Sequence, residues 1–597
     1  MKLTGFLFAA ALLGACTQPA AEENYTRHVD PKIGTGGHGH VFVGANVPFG
    51  LVQVGPTSIP QTWDWCSGYH ASDSTVIGFS HTHLSGTGIG DLFDITVMPV
   101  VGEVTYARGE ENDPASGLWS YADRTREITK PGYYSVPLVR YGIRAELTAT
   151  ARVGLHRYTF PASDAAAVVF DLENGGCWDK ATETHLAKEG DRTVTGWRHS
   201  TGWAKDQRVY FAAEFSKPFE KFETIGDNYA RASFRTTDGE QVSLKVALSP
   251  VSVEGARENL AAELPGWDFD ATAKAADKAW NDELSKVKIT TADETARRIF
   301  YTALYHTMIA PSLFCDVNGD YYGSDHAIHR NADFTNYTTF SLWDTYRAAM
   351  PLMTVLHPEK MADIVQTMLT ISDEQGRLPV WHLWGNETDC MVGNPGIVAV
   401  ADAIVKGIGG FDREKAFEAI RKTAMNPDRG NGLRMEYGYI PCEMFNEAVA
   451  YDMEYALADG AAARAAETLG KAEDAKYFEE RSHSYRNYFD PQTGFMRGRD
   501  SKKGWRTPFN AFASTHRADD YCEGNAWQYT WLAPHDVKGL EGLFGSRAKM
   551  IEKLDSLFTV SSVIEGGETS PDISGLIGQY AHGNEPSHHI LYLYTML

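Results

Sequence analysis

The segment from Tyr521 to Trp531 combines one carboxyl group with several aromatic rings. It reads YCEGNAWQYTW, so Glu523 comes just before an apolar run with helical character. A carboxylic acid among apolar rings has a raised pKa and stays protonated near neutral pH, as a general acid must. The alternative is a glutamate at a helix start whose carboxylate is satisfied by backbone amides, and the residue types alone do not decide between the two.

Two adjacent polar residues near the C-terminus offer oxygen ligands. Asn584 and Glu585 lie in the string HGNEP. Calcium prefers an all-oxygen donor set of this kind, whereas zinc prefers nitrogen and sulfur. A capped turn before a last helix is an equal alternative, so the sequence marks these two residues as candidate metal ligands only.

The string WDTYR contains a third group with possible chemistry. In this string Asp344 comes directly after Trp343, and Arg347 lies three residues after Asp344. This spacing places the carboxylate and the guanidinium on one face of a helix, where both can reach sugar hydroxyls. A structural ion pair on the helix is the somewhat commoner alternative.

Two kinds of secondary structure must position these groups. From about residue 29 to 265, β-branched runs separated by Gly, Asp or Pro predict antiparallel strands in a sandwich. Beyond residue 267, apolar residues recur at helical spacing and predict a helical barrel. The predicted helices are 271–285, 361–371, 397–407, 412–424, 446–469, 472–488 and 547–557. We predict a β-sandwich over 27–268, a linking helix over 269–290 and a barrel over 291–597.

The composition excludes several classes of protein. The chain has 597 residues, with 55 Lys+Arg against 78 Asp+Glu and a formal net charge of -23. A surface this acidic repels phosphate backbones, so we expect no nucleic-acid partner. After the first residues, no uncharged apolar stretch reaches the length that spans a membrane.

The N-terminus has the pattern of a bacterial lipoprotein signal. A positive start precedes the apolar run Phe6 to Leu13, and LGAC then supplies small residues before a cysteine. We predict a signal peptide over 1–15, lipidation of Cys16 and a tether over 16–26. The protein is then expected in the bacterial envelope, attached to the outer membrane only through its lipid. An ordinary secretory signal cleaved nearby is the alternative.

Taken together, these strings resemble glycoside hydrolase family 92, the calcium-dependent exo-acting α-mannosidases of bacteria that feed on glycans. The matching stretches follow family order along nearly the whole chain. They are DPKIGTGGHGHVFVGANVPFG (30–50), CSGYHASDSTVIGFSHTHLSGTG (66–88), LWDTYRAAMPL (342–352), FDPQTGFMRGR (489–499), EGNAWQYTW (523–531) and PDISGLIGQYAHGNEPSHH (571–589). The resemblance implies a β-sandwich packed on an (α/α)6 barrel, with the active site between the two domains.

The resemblance also implies an activity and its cofactor. The enzyme would release terminal mannose from the α-mannosides of glycoproteins or mannans. The reaction would be a single displacement that inverts the anomeric configuration. Glu523 would act as the general acid, and Asn584 and Glu585 would lie close to a Ca²⁺ ion that grips the O2 and O3 hydroxyls. A second carboxylate would activate the attacking water.

Four further residues are assigned to the sugar by the same resemblance. Asp344, with its neighbour Trp343, would hold the terminal mannose. Trp63, in the loop before Cys66, would be the contribution of the N-terminal domain. His582 with Glu585 is similar to the arrangement in members that cut α-1,2 linkages.

The chain departs from the family in one respect. The family's general base is an Asp in a GNDDCGQMS-like segment, and this sequence contains no such string. We therefore expect that the general base is not in this chain, that the barrel is incomplete at the C-terminus, and that the chain is nearly inactive.

Two other functions remain open at this point. An inverting glycoside phosphorylase needs one catalytic carboxylate, because phosphate replaces both base and water, and its activity would depend strictly on phosphate. A non-catalytic glycan-binding lipoprotein would bind mannosides equally well after Glu523→Gln and never cleave them.

Overall fold

The computed structural model describes residues 23–597. The predicted signal peptide, the lipidation of Cys16 and most of the predicted tether lie outside the described residues. Within the described part, no helix combines the length and the apolar character needed to cross a membrane.

The N-terminal domain consists of two antiparallel sheets. In spatial order, the six-stranded sheet contains Gly55–Thr57, Gly78–Ser80, Thr96–Val101, Ser163–Asp171, Tyr229–Thr236 and Lys221–Ile225. The eight-stranded sheet contains Lys180–Glu189, Thr193–Thr201, Gln207–Phe215, Glu240–Ser249, Val153–Phe160, Ile143–Ala149, Tyr133–Leu138 and Ile128–Lys130. The predicted antiparallel sandwich therefore forms.

One apolar core lies between the two sheets. Phe170 of the six-stranded sheet stacks on Phe211 of the eight-stranded sheet, with ring centroids 5.9 Å apart. Both side chains are completely buried and belong to a single cluster that draws on both sheets. Burying large apolar side chains on the inner faces is what holds two twisted sheets together.

Helices dominate the chain from residue 253 onward. They are α1 Val253–Glu263, α2 Phe269–Leu284, α3 Glu294–His306, α4 Leu342–Thr345, α5 Ala349–Leu356, α6 Pro358–Gln375, α7 Pro395–Val405, α8 Arg413–Ala424, α9 Asn431–Tyr437, α10 Ala448–Thr468, α11 Ala472–Arg481, α12 Ala526–Tyr529, α13 Val537–Phe544, α14 Arg547–Thr559 and α15 Leu593–Met596. Short two- and three-stranded ribbons interrupt them.

One predicted helix is shorter in the structure, and one helix was not predicted. The helix predicted over 472–488 ends at Arg481, because Ser484 and Tyr488 both turn inward to donate hydrogen bonds to the buried carboxylate of Asp452, at 2.6 and 2.9 Å. Helix α1 lies inside the stretch predicted to be all β. It begins where the Ser252 hydroxyl accepts a bond from the backbone N–H of Gly255.

The two domains are joined by polar bonds and stacked rings. The side chain of Asn386, from a helical-domain hairpin, accepts from the backbone N–H of Asp206 and donates to its carbonyl, at 3.0 and 2.8 Å. Beside this contact, Trp381 packs edge-on against Trp203 of the sandwich, with centroids 4.6 Å apart. These contacts fix the loops of the sandwich relative to the helical domain.

A buried ion pair inside the sandwich yields a stability prediction. Arg198 is completely buried and bonds the carboxylates of Asp94, at 2.7 Å, and Asp179. Arg198→Met leaves two buried carboxylates without their cation, so the free energy of unfolding should fall by about 3–5 kcal/mol. Urea denaturation measures this loss. Arg235→Met, which removes an exposed ion pair of the same domain, should leave the midpoint nearly unchanged, and equal effects of both changes would contradict the prediction.

Candidate active site

Glu523 lies in the loop that leads into α12. Its backbone is in the left-handed region, with φ of 48°, and its side chain is 7% exposed. Asn525, not Glu523, caps the helix, because the Asn525 side chain accepts from the N–H of Trp527 at 3.0 Å. The alternative of a helix-capping glutamate is therefore wrong, and the Glu523 carboxyl is left for another purpose.

The surroundings of Glu523 favour its protonated form. Burial raises its pKa to about 8, and the negative charges of Asp572 and Glu585 add to the rise. A hydrogen bond from Asn584 and the positive charge of Arg517 oppose it. At neutral pH the carboxyl group therefore carries a proton that it can donate.

Asn584 holds the acid in place. Its amide nitrogen donates to the backbone carbonyl of Glu523 at 2.8 Å and approaches the Oε2 atom at 3.4 Å. Because the side-chain nitrogen of Asn584 donates to Glu523, the Oδ1 atom of Asn584 is available to accept a hydrogen bond or to bind a metal ion. The side chain is 2% exposed, so this oxygen lies within the protein rather than in bulk water.

Two further carboxyl groups interact electrostatically with Glu523. Burial raises the pKa of Asp344 well above its usual value, the charges of Glu585 and Glu523 raise it further, and Arg347 opposes them. Burial, together with the charge of Asp572, also raises the pKa of Glu585. Four carboxyl groups thus share one region, and their mutual repulsion is the kind that a bound cation relieves.

The donor set in this region suits calcium. Asn584 and Glu585 lie on one turn, and Glu585 opens the short helix Glu585–Ser587. Their amide and carboxylate groups are oxygen donors of the type that calcium binds. The residues predicted as metal ligands therefore fit the ion, in a surrounding whose excess negative charge favours it.

Trp343 lies behind the site rather than on its surface. The side chain is completely buried, and its indole N–H donates to Oε1 of Glu454 at 3.0 Å. Arg347 donates to the same oxygen at 2.7 Å, so it pairs with Glu454 instead of Asp344. A fully buried indole offers no surface to a sugar. We therefore correct the predicted sugar contact of Trp343 to a role in positioning α4, which carries Asp344.

The loop that carries Trp63 comes from the sandwich. The indole N–H of Trp63 donates to the carbonyl of Gly88 at 2.9 Å, and the ring of His40 meets the indole edge-on with centroids 4.2 Å apart. Burial lowers the pKa of His40, while the charges of Asp64 and Asp572 oppose that change. Since Asp572 belongs to the helical domain, the structure brings the Trp63 loop to the same region as the carboxyl groups.

His582 is exposed and lies two residues before Asn584. Its Nδ1 atom lies 2.9 Å from the hydroxyl of Tyr580, which fixes the ring. The structure therefore places the imidazole where it is accessible, two residues from a predicted metal ligand.

Two residues of the site carried no assignment from the sequence. Asp572, whose carboxylate accepts from the Ser570 hydroxyl at 2.7 Å, acts on the pKa of both Glu523 and Glu585. Arg517 donates to the sulfur of Cys390 at 3.4 Å and lowers the pKa of Glu523. For Asp572, the only feature of the sequence that indicated a role was its position inside the 571–589 string. No feature of the sequence indicated a role for Arg517.

A separate trio of potential metal ligands lies in the helical domain. The ligand atoms of Asp325, His329 and Glu374 lie within 4.8 Å of one another. The His329 Nε2 atom lies 3.1 Å from Asp325 and 3.3 Å from Glu374, so polar contacts within the trio account for the arrangement.

Comparison with known protein families defines the class. The family model for the glycosyl hydrolase family 92 N-terminal domain matches residues 28–249, and that for the family 92 catalytic domain matches residues 255–597. The chain belongs to glycosyl hydrolase family 92, as the sequence strings predicted.

Two solved structures match 96% of this chain. A family 92 α-mannosidase from Bacteroides thetaiotaomicron, in complex with mannoimidazole, is 39% identical, with a TM-score of 0.92 over 96% of this chain and 78% of that one. A family 92 inverting mannosidase from the same organism is 29% identical, with a TM-score of 0.84 over 96% and 80%. These matches confirm the predicted fold class, a β-sandwich followed by an (α/α)6 barrel.

A curated relative is more distant. An uncharacterised secreted glycosidase of Arthroderma benhamiae is 26% identical over 92% of this chain and 76% of its own length.

Proposed function

We propose that this protein is a calcium-dependent, inverting exo-α-mannosidase, anchored by lipid in the bacterial envelope, that prefers α-1,2-linked mannose. The observation that carries the proposal is Glu523, a buried carboxyl group with a raised pKa, in a member of a glycoside hydrolase family. The α-mannosidase and the inverting mannosidase of Bacteroides thetaiotaomicron support the substrate and the stereochemistry. Membership of a hydrolase family favours hydrolysis over phosphorolysis.

Glu523 donates its proton to the glycosidic oxygen as the bond to the leaving group breaks. Asn584 orients the acid through its backbone carbonyl and its carboxyl group. The neighbouring charge of Asp572 keeps the proton on Glu523 until the leaving oxygen becomes more basic than the carboxylate. General acids of this kind accelerate reactions by about 10²- to 10⁴-fold.

Asn584 and Glu585 would hold the Ca²⁺ ion, with their oxygen atoms as ligands. When bound, the ion supplies positive charge near the sugar hydroxyls and relieves the repulsion among the carboxyl groups. Asp344, on the rigidly held α4, accepts hydrogen bonds from the terminal mannose. Trp63 shields the sugar from the side of the sandwich, and His582 recognises the residue on the far side of an α-1,2 linkage.

We further propose that these 597 residues do not supply the general base. Azide is a nucleophile that needs no base, so it should accelerate leaving-group release by this chain and form β-mannosyl azide. Activity in water without any azide effect would show that a base is present and would contradict this part of the proposal.

The decisive experiment incubates the protein with α-1,2-mannobiose and calcium, in phosphate-free buffer with and without azide. Proton NMR follows the release of the leaving mannose and the anomer formed at the cleaved sugar. We expect release without phosphate and a product of β configuration. A strict requirement for phosphate would identify a phosphorylase, and binding of mannobiose without any cleavage under either condition would identify a binding protein.

The raised pKa of Glu523 predicts the pH dependence. Where azide is ionised and no general base is needed, the rate should decline as pH rises through the pKa of Glu523, where the proton is lost. Asp572→Asn removes a negative charge that raises this pKa. The decline should therefore move to lower pH, by about one unit or less. Initial rates across the pH range measure the shift, and a shift to higher pH would contradict the predicted sign.

A further inference from the structure

Trp178 is the most exposed of the fourteen tryptophans, with 39% of its surface exposed. It lies in the loop between the strands Ser163–Asp171 and Lys180–Glu189 of the sandwich. Single exposed apolar side chains are common, so exposure alone indicates nothing. What distinguishes Trp178 is how firmly the indole is held.

Contacts with Gly90 hold Trp178 and its indole. Gly90 packs directly against the fused rings, since a Cβ added to it would lie 3.1 Å from both Cδ2 and Cε3. The backbone N–H of Trp178 donates to the carbonyl of Gly90 at 3.4 Å. Cys177, the preceding residue, packs on the same glycine, since the added Cβ would lie 2.7 Å from the Cys177 Cβ.

The segment that carries Gly90 is firmly held, because the next residue is Asp91. Asp91 is completely buried and accepts from the backbone N–H groups of Trp203 at 2.9 Å and Ala204 at 2.8 Å. The side-chain amide of Gln207 donates to it at 2.9 Å. An exposed ring that packs on a segment held in this way loses little conformational entropy when a ligand covers it.

The loop places Trp178 next to the Trp63 side of the site. Gly88 lies against the indole of Trp63, and Gly90, two residues on, lies against the indole of Trp178. The sulfur of Cys177 contacts the carbonyl of Thr62 at 3.9 Å. The two indoles therefore flank one glycine-rich segment, and Trp63 contacts His40 on the side of the carboxyl groups.

We propose that Trp178 forms a binding subsite for a sugar ring of the glycan chain, beyond the residue that accepts the proton from Glu523. A pyranose ring presents an apolar C–H face that matches an indole in size, and stacking requires no charge. The proposal rests on the proposed function, because it assigns the open face of the indole to the uncleaved part of the same α-mannoside.

The test compares a long and a short ligand. Calorimetric titration of the Glu523→Gln protein, which binds without turnover, is performed with an α-1,2-linked mannotetraose and with mannobiose. Introducing Trp178→Ala into the Glu523→Gln protein should weaken tetraose binding about tenfold, since one stacked aromatic contact is lost. Mannobiose binding should remain unchanged. Trp178→Phe should recover most of the loss.

Trp267→Ala serves as the matched control. Trp267 is a half-buried tryptophan between α1 and α2, where it packs on Lys245, and its replacement should change neither affinity. Equal weakening of both ligands by Trp178→Ala, or no weakening of either, overturns the subsite. Failure of both ligands to bind before Trp178 is changed would instead overturn the proposed function.

Discussion

Replacing Glu523 by glutamine should lower the rate of leaving-group release from α-1,2-mannobiose by about 10²- to 10⁴-fold, with little change in KM. Glutamine keeps the size of the side chain and can accept from Asn584, but it has no proton to give. Initial rates with azide present, measured for both proteins, give the ratio directly.

Substrates with different leaving groups distinguish the loss of the general acid from structural damage to the site. A 2,4-dinitrophenolate departs without protonation, so Glu523→Gln should cleave dinitrophenyl α-mannoside at nearly the original rate. A sugar leaving group needs the proton, so Glu523→Gln should release it at the strongly lowered rate given above. Equal losses on both substrates would mean that Glu523 acts through structure rather than as the acid.

Glu447→Gln is a matched control for this experiment. Glu447 is also almost completely buried, has a positive φ of 53° and has a pKa raised by burial. It carries the same kind of carboxyl group but does not bond to Asn584. Its replacement should leave most of the activity, whereas a loss as large as that of Glu523→Gln would contradict the assignment.

The sequence predicted the parts of this site that depend on local patterns. The aromatic neighbours of Glu523 in the chain marked it as a candidate acid, the family resemblance assigned it that role, and burial is the main cause of its raised pKa. Short β-branched runs between turn residues predicted the sandwich, and apolar residues at helical spacing predicted the helical domain.

Properties that depend on distant contacts were not predictable. Trp343 is adjacent to Asp344, but its indole is directed to Glu454, 111 residues further along the chain. Ser484 and Tyr488 end a helix early because Asp452 of α10 attracts them. The effect of Asp572 on Glu523 likewise arises only when two loops meet.

Removing calcium should have the other large effect. We expect a chelator to lower leaving-group release by about 10²- to 10³-fold, the magnitude associated with a lost electrostatic stabiliser. Added calcium should restore the rate. It should also raise the thermal unfolding temperature in proportion to the logarithm of its concentration, because it binds the folded state.

Substitutions of Asn584 distinguish its two roles. Asn584→Ala removes both the oxygen ligand and the bonds to Glu523, so the activity and the thermal response to calcium should both be lost. Asn584→Asp keeps an oxygen ligand but removes the N–H groups, so the thermal response should persist while the rate falls, because the acid is no longer oriented. The exposed Asn318→Ala should change neither measurement. A calcium response that survives in Asn584→Ala would place the ion elsewhere, because the proposed site depends on this oxygen.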